Sequence, residues 1–180
     1  MYEVSEDSYL LRNTLRDHDV SGHTAIDVGA GSGVITALLA DRYDEVIGVD
    51  IDTDATSYCK ERFENTANVT IHESDRFAEV QADGADIITC NPPYLPSTAG
   101  EQSDVAIDGG ESGVEYTHAF LDEAQGYLAA TGVIYFVASD KADLDRLHDY
   151  LEQSGYAYQR VNDTRYFFET LYVYTARITD

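Results

Sequence analysis

TAIDVGAGSGVITALL, residues 24–39, is the stretch that decides the fold. Residues 24–28 form the short apolar run of a buried strand, and a glycine-rich turn follows at once. Val34 to Ala40 then reads as a helix. A strand, a glycine turn and a helix in that order predict the first unit of a parallel α/β sheet. Such a turn lies at the carboxyl end of its strand, where a ligand can approach the backbone closely.

The rest of the chain repeats this alternation. Further strands are predicted at residues 45–50, 69–72, 85–90 and 133–137, and helices at about 7–18, 54–64, 114–129 and 142–153, with Ser5, Ser8 and Asp54 as candidate caps. Segments 156–161 and 170–176 alternate apolar and polar residues, as an antiparallel pair does. We therefore predict an α/β fold with a Rossmann-like seven-stranded sheet. The sheet should be mostly parallel with an antiparallel C-terminal hairpin edge, and helices should cover both faces.

Length and charge limit the classes of function. The 180 residues predict a single domain, 1–180, and the 34 Asp and Glu against 11 Lys and Arg give a net charge of -23. We interpret this charge as adaptation to high salt, typical of a halophile's proteins. It argues against a substrate held mainly through its phosphates. Cys59 and Cys90 show no metal or disulfide spacing, and the N-terminus has no signal-peptide pattern, so we predict a cytoplasmic protein without a metal site.

The glycine turn predicts which cofactor is bound. Gly29, Gly31 and Gly33 depart from the dinucleotide pattern Gly-x-Gly-x-x-Gly. Asp27 precedes them, and its carboxylate would repel a diphosphate but suit a cationic amino acid group. Asp50, about 20 residues further on, is placed to accept hydrogen bonds from ribose hydroxyls. Together these residues favour S-adenosylmethionine over NAD, and we expect two neighbours, Ala30 and Ile51, to contact the cofactor as well.

A polar group also follows the third predicted strand. Asp75 could accept a hydrogen bond from the adenine amino group, with Ser74 and Arg76 beside it. The alternative is an ordinary helix cap, since Ser and Asp are preferred at that position. Both interpretations of this segment remain open at this point.

The corner Asn91-Pro92-Pro93-Tyr94 closes the strand at residues 85–90. Each proline fixes its φ and lacks an N–H, and the residue before a proline is extended. The Asn91 side chain and the Pro92 carbonyl can therefore converge as acceptors on one planar –NH2 group, with the Tyr94 ring beside it. The alternative is an ordinary turn before proline. Four such residues at the carboxyl end of a cofactor-binding sheet favour the first interpretation.

The predicted chemistry is methyl transfer to that nitrogen. An amide nitrogen is a poor nucleophile because its lone pair is delocalised. Two acceptors on its hydrogens oppose that delocalisation and bind the transition state more tightly than the ground state. No histidine shows ligand or triad spacing, and none is assigned a role.

Asp27-x-Gly-x-Gly-x-Gly, Asp50, Asp75 and Asn91-Pro92-Pro93-Tyr94, in this order, resemble class I S-adenosylmethionine-dependent amino-methyltransferases. More narrowly, the chain resembles the HemK family of protein-glutamine N5-methyltransferases, in its short archaeal and eukaryotic branch. The opening residues 2–8 and the later stretch 106–113 are similar to that branch. Val4 stands where the family usually has proline, and an acid longer than Asp27 is common in the family before the first glycine.

The resemblance implies a substrate, a site and a partner. The substrate would be the glutamine of the Gly-Gly-Gln motif in a class 1 translation termination factor, with S-adenosylhomocysteine as the second product. Residues 1–22 would form a helical segment over the cleft, in which Glu6 and Asp7 face the substrate and Ser8 the cofactor. Residues 95–113 would form a substrate loop, and Asn91 would also touch the cofactor. A small zinc-binding activator subunit would complete a heterodimer, covering an apolar surface and a strand edge.

Three other functions stay open. Adenine-N6 methylation of DNA or RNA uses the same Asn-Pro-Pro-Tyr corner, although the chain lacks a basic surface. Protein lysine methylation, which relatives carry out, is a second alternative. A cofactor-binding partner subunit without catalysis is the non-enzymatic alternative, and the intact corner argues against it.

Overall fold

The computed structural model describes residues 5–96 and 110–179. In chain order its elements are α1 (Glu6–Asp17), β1 (Gly22–Val28), α2 (Val34–Ala40), β2 (Tyr43–Asp50), α3 (Thr53–Arg62), β3 (Val69–Glu73), β4 (Ala85–Cys90), α4 (Glu115–Ala124), β5 (Leu128–Ser139), α5 (Leu144–Gln153), β6 (Tyr156–Arg165) and β7 (Thr170–Ile178). None of the described helices is both long and apolar enough to cross a membrane.

The described strands form one seven-stranded sheet in the order β3-β2-β1-β4-β5-β7-β6. Strands β1 to β5 are parallel to one another, and β7 runs antiparallel to both β5 and β6. The predicted Rossmann-like sheet with an antiparallel C-terminal hairpin edge is therefore confirmed. The order reverses between β1 and β4, and the crevice at such a switch point is where ligands bind in open α/β sheets.

Successive residues of the central strands face opposite layers, as the period of two requires. Ile26 and Val28 of β1 belong to a core cluster with Phe120 of α4 and Leu147 of α5. Ala25, directly before Ile26, belongs to a second cluster with residues of α1 and α2. Helix α3 packs over β2 and β3 on the side of α2. Helices thus cover both faces, which explains why the central strands are nearly continuous apolar runs.

Several predicted element boundaries are wrong: β5 begins at Leu128 and not at 133, and β6 ends at Arg165 and not at 161. Helix α4 ends at Ala124 and not near 129, because β5 already begins at Leu128, which pairs with Ala85 across an irregular register. Helix α3 is capped by Asp52, whose side chain accepts from the backbone N–H groups of Asp54 and Ala55. Asp54 itself lies in the first turn, where a carboxylate is favourable beside the helix dipole.

Candidate active site

The glycine turn after β1 is held by hydrogen bonds to the end of β2. The N–H groups of Gly29 and Ala30 donate to the Val49 carbonyl at 2.8 and 2.9 Å. All three glycines of the turn have positive φ, at 77°, 49° and 70°. Gly33 also has a packing reason, since a Cβ there would lie 2.8 Å from the Phe63 ring. The turn therefore needs glycine both for its backbone conformation and for close packing against α3.

Asp50 lies at the end of β2 and joins the glycine turn to the next segment. Its Oδ2 accepts from Gly31 N at 2.8 Å, and its Oδ1 accepts from Asp52 N at 2.9 Å. Each carboxylate oxygen has a second lone pair available. The carboxylate is thus fixed in position by two backbone donors and can still accept from a ligand hydroxyl. This geometry fits the predicted contact with ribose.

Asp27 is placed differently from Asp50. Its side chain is buried beneath the turn, where Oδ2 accepts from Thr36 Oγ1 at 2.6 Å and Oδ1 accepts from Thr89 Oγ1 at 2.8 Å. Burial raises the pKa of Asp27 to about 6 against the two hydrogen bonds, which lower it. The structure shows no direct path from this carboxyl to a ligand, so its contact with the cofactor stays a prediction.

A cleft of about 240 Å³ opens beside these groups. Ser74 N donates to the Asp50 carbonyl at 2.8 Å, which places the segment after β3 against the end of β2. Arg76 is held by Asp75 at 2.9 Å and by Glu123 at 2.7 Å. No helix follows Ser74, so the helix-cap interpretation of this segment is wrong. The cleft lining comprises Val28, Gly29, Val49, Asp50, Ile51, Ser74, Asp75, Arg76 and Tyr116.

The corner after β4 carries the most unusual polar atom of the site. The Asn91 side chain donates from Nδ2 to Ser8 Oγ at 3.3 Å. Its Oδ1 is buried and has no hydrogen-bond partner within the described residues. A buried acceptor without a donor costs roughly 1–3 kcal/mol, so such an atom indicates a missing ligand. The Asn91 carbonyl oxygen lies 3.9 Å from where a Cβ on Gly29 would be, which places the corner next to the glycine turn.

Helix α1 closes over this corner. Tyr94 donates from its hydroxyl to Asp7 Oδ2 at 3.0 Å, and Ser8 N donates to Asp7 Oδ1 at 2.6 Å. Burial, aided by the Asp7 charge, raises the pKa of Tyr94, so its hydroxyl remains a donor. Gly113 lies against the corner as well, since a Cβ there would meet the Tyr94 carbonyl at 2.5 Å. The first turn of α1 thus fixes the Asn91 amide and the Tyr94 ring.

The structure therefore brings most of the predicted residues to one edge of the sheet. The glycine turn, Asp50, Ile51, the Ser74–Arg76 segment and the Asn91 corner lie at the carboxyl ends of β1 to β4, and Asp7 and Ser8 are hydrogen-bonded to the corner. Glu6 begins α1, and Asp27 lies below the turn. Val4 and residues 97–109 of the predicted substrate loop lie outside the described residues.

Sequence reasoning missed three contributors. Tyr116 of α4 lines the cleft, and its ring lies under the Arg76 guanidinium at 5.7 Å. Thr36 and Thr89 hold Asp27. Only Thr89 carried a signal, since a polar residue in an otherwise apolar strand needs a buried partner. Tyr116 belongs to α4, and nothing in its local pattern indicates the cleft.

Comparison with known proteins places the chain in a family. Residues 2–168 match the methyltransferase small domain. The chain belongs to this family. It is 36% identical over 145 residues to the protein N5-glutamine methyltransferase MJ0928 of Methanocaldococcus jannaschii, covering 77% of this chain and 72% of that protein. It also matches release factor glutamine methyltransferases of Geobacter sulfurreducens and Thermodesulfovibrio yellowstonii, spanning 42% and 50% of their length.

Two solved structures are similar to this chain over nearly its whole length. The E. cuniculi Mtq2–Trm112 complex, responsible for methylation of the eRF1 translation termination factor, has a chain that superposes with a TM-score of 0.79 and 25% identity, over 99% of this chain and 98% of that one. The Thermus thermophilus 16S rRNA N2 G1207 methyltransferase, in complex with AdoMet and guanosine, gives 0.72 and 26% identity, over 98% and 44%. The chain is an S-adenosylmethionine-dependent methyltransferase, and the resemblance to the HemK family is confirmed.

Proposed function

We propose that this methyltransferase transfers a methyl group to the side-chain amide nitrogen of a glutamine, in the Gly-Gly-Gln motif of a translation termination factor. The observation that carries this proposal is the buried Oδ1 of Asn91 at the carboxyl end of β4, which has no hydrogen-bond partner among residues 5–96 and 110–179. Only a donor can satisfy this atom, and a planar –NH2 presents one hydrogen to it and one to the neighbouring Pro92 carbonyl. The Asn91 amide cannot turn freely, because its Nδ2 is engaged by Ser8.

The residues of the chain act by positioning. S-adenosylmethionine supplies an activated methyl on a sulfonium. Asp50 would accept from the ribose, the glycine turn would let the cofactor approach the backbone, and Asp75 and Tyr116, which line the same cleft, would face the adenine. Asn91 and Pro92 would orient the acceptor nitrogen and oppose delocalisation of its lone pair. The bound sulfonium would supply the methyl group and keep the electron pair of the carbon–sulfur bond, and the methylated nitrogen would release one proton to solvent.

A protein glutamine fits this chain better than a nucleic acid base. The net charge of -23 disfavours phosphate contacts, which depend on Lys and Arg. MJ0928 and the Mtq2–Trm112 complex are named for glutamine methylation and for eRF1 methylation. We place the reaction in the cytoplasm, where translation termination takes place. Residues 1–22 would cover the cleft, consistent with the bonds from Asp7 and Ser8 to the corner.

We further propose a small zinc-binding activator subunit as partner. The support is the Mtq2–Trm112 complex, one chain of which superposes on this chain over 98% of its own length. Among the described strands, β3 and β6 are the sheet edges, and an exposed strand edge is a ready template for pairing with another chain. The exposed side chain of Ile51 provides an apolar contact near the cofactor side.

Methyl transfer from labelled cofactor to a recombinant release factor tests the proposal. The wild-type factor should be labelled, and the same factor with its Gly-Gly-Gln glutamine replaced by alanine should not be. Asn91→Ala should lower kcat by at least about 100-fold, the cost of removing one transition-state hydrogen-bond partner, with cofactor affinity within about twofold. Asn65→Ala, at an exposed loop position, is the matched control. Full activity of Asn91→Ala would refute the assignment. Labelling of the substituted factor or of RNA at the level of the wild-type factor would refute it as well.

A further inference from the structure

The turn between β6 and β7 carries the most exposed large apolar side chains of the described residues. Tyr166 N donates to the Glu169 carbonyl at 2.7 Å and closes the turn. At its tip, Phe167 is 93% exposed and Phe168 is 79% exposed, and their rings meet edge to face at 4.7 Å. Two-residue hairpin turns favour Asn, Asp and Gly. The turn therefore does not require phenylalanine at these two positions, and neither side chain contributes to the core.

This aromatic tip (Phe167 and Phe168) lies at the same edge of the sheet as the methyl-transfer site. Because β7 is antiparallel to β5, its first residues lie at the carboxyl end of the parallel strands, with Leu171 opposite Ser139. Ser139 Oγ donates to Glu169 Oε2 at 3.0 Å, which fixes the base of the turn there. Tyr166, directly before the tip, packs against the same core cluster as Tyr94 of the catalytic corner.

Carboxylates lie near the base of the aromatic tip. Glu169 follows the two phenylalanines and accepts from Ser139, and Asp7 accepts the Tyr94 hydrogen bond. Burial raises the pKa of Tyr166, and the charges of Glu6, Asp7 and Glu169 raise it further. An apolar tip beside such carboxylates complements a partner surface that offers an apolar pocket bordered by Lys or Arg. Exposed aromatics of this kind are typical anchors of protein interfaces.

We propose that the aromatic tip is the docking anchor for the protein substrate. Its two rings insert into an apolar pocket on the substrate, and basic side chains around that pocket face Glu6, Asp7 and Glu169. The position beside Tyr94 selects this occupant, because a protein that delivers a side-chain amide to Asn91 must cover the neighbouring rim. A second copy of the chain or a permanent subunit seated on the tip would obstruct that approach. This inference rests on the proposed glutamine methylation.

The double variant Phe167→Ser/Phe168→Ser tests the inference in steady-state methylation of the release factor. Both side chains are exposed, so we expect the melting temperature of the variant to be unchanged. The KM for the release factor should rise about tenfold or more, with kcat and the cofactor dissociation constant within about twofold. The matched control is Ile178→Ser at the opposite end of β7, 41% exposed, which should leave KM unchanged.

Four outcomes separate the possibilities. An unlabelled release factor with the wild-type enzyme, assayed together with its activator subunit, would refute the proposed function itself. A labelled factor with an unchanged KM in the double variant would overturn the docking inference alone. A loss of co-purification with the activator, or a change in the oligomeric mass, at unchanged KM would assign the tip to another occupant and also overturn it. Support would come from two equal effects. The double variant would show a raised KM for the intact release factor, and the wild-type enzyme would show the same rise with a release factor that lacks the basic side chains around its apolar pocket.

Discussion

The buried carboxyl of Asp27 makes a prediction about stability that can be worked out from its surroundings. Thr36 and Thr89 donate to its two oxygens, and almost none of its surface is exposed. Asparagine has nearly the same shape and can bond to both hydroxyls, since each can donate or accept. Asp27→Asn therefore removes a buried charge with little change in packing. We expect the variant to be more stable than the wild type at neutral pH.

The magnitude follows from the pKa of Asp27, which burial raises from 3.8 to about 6. The folded state holds the proton more tightly than the unfolded state, so the free energy of unfolding falls as pH rises between these two values. Above pH 6 the full penalty applies, about 3 kcal/mol at 1.36 kcal/mol per pKa unit. At about pH 5 the penalty is roughly 1.6 kcal/mol by the same relation. The advantage of asparagine should thus be about 1.4 kcal/mol larger at pH 8 than at pH 5.

Urea unfolding at these two pH values measures this difference. The experiment belongs at about 1 M KCl, where the Debye length is near 3 Å and the repulsion among surface carboxylates is screened. Asp83→Asn removes the same charge from an exposed turn and is the control. Its effect on the free energy of unfolding should not increase between pH 5 and pH 8 as that of Asp27→Asn does. A stability difference for Asp27→Asn that is the same at both pH values, or that reverses in sign, would refute the reasoning.

Two further substitutions test the cofactor side of the site. Asp50→Ala should raise the dissociation constant for S-adenosylhomocysteine at least about tenfold by calorimetry, because a hydrogen bond to a charged group contributes roughly 1.5–3 kcal/mol. Asp54→Ala is its control. A change of less than twofold in the dissociation constant of Asp50→Ala would contradict the assignment. Gly33→Ala should cost at least about 1–2 kcal/mol in urea unfolding, from its positive φ and the Phe63 ring. Gly126→Ala, where a Cβ meets only an ordinary contact at 3.5 Å, should cost less, and equal losses would refute the argument.

Local patterns were sufficient for the order of the elements. The strands of the parallel half are apolar runs bounded by Gly, Asp and Asn, and the glycine turn fixes where β1 ends. The boundary between α4 and β5 could not be predicted, because residues 125–130 have no pattern that separates a helix end from a strand start. Pairing with Ala85 decides that boundary, and pairing is a tertiary effect.

The residues at the carboxyl ends of the strands were predictable for a related reason. In a parallel sheet these ends meet at one edge, so Asp50, Ser74 and Asn91 had to lie near the glycine turn once the strands were known. Tyr116 follows from no such rule, because it depends on how α4 packs after a long connection. The aromatic tip was visible only as a short connection between two strands, and its exposure is a property of the folded chain.

The orientation of the Asn91 amide shows most clearly what sequence spacing leaves open. A corner of asparagine and two prolines restricts the backbone, but the amide can still present either its oxygen or its nitrogen to the acceptor group. Ser8, 83 residues earlier in the chain, engages Nδ2, and within the described residues Oδ1 has no donor. Asp7 in the same turn binds Tyr94. Helix α1 therefore orients the amide that we propose selects an –NH2, so the chemistry proposed for the corner depends on the N-terminal segment.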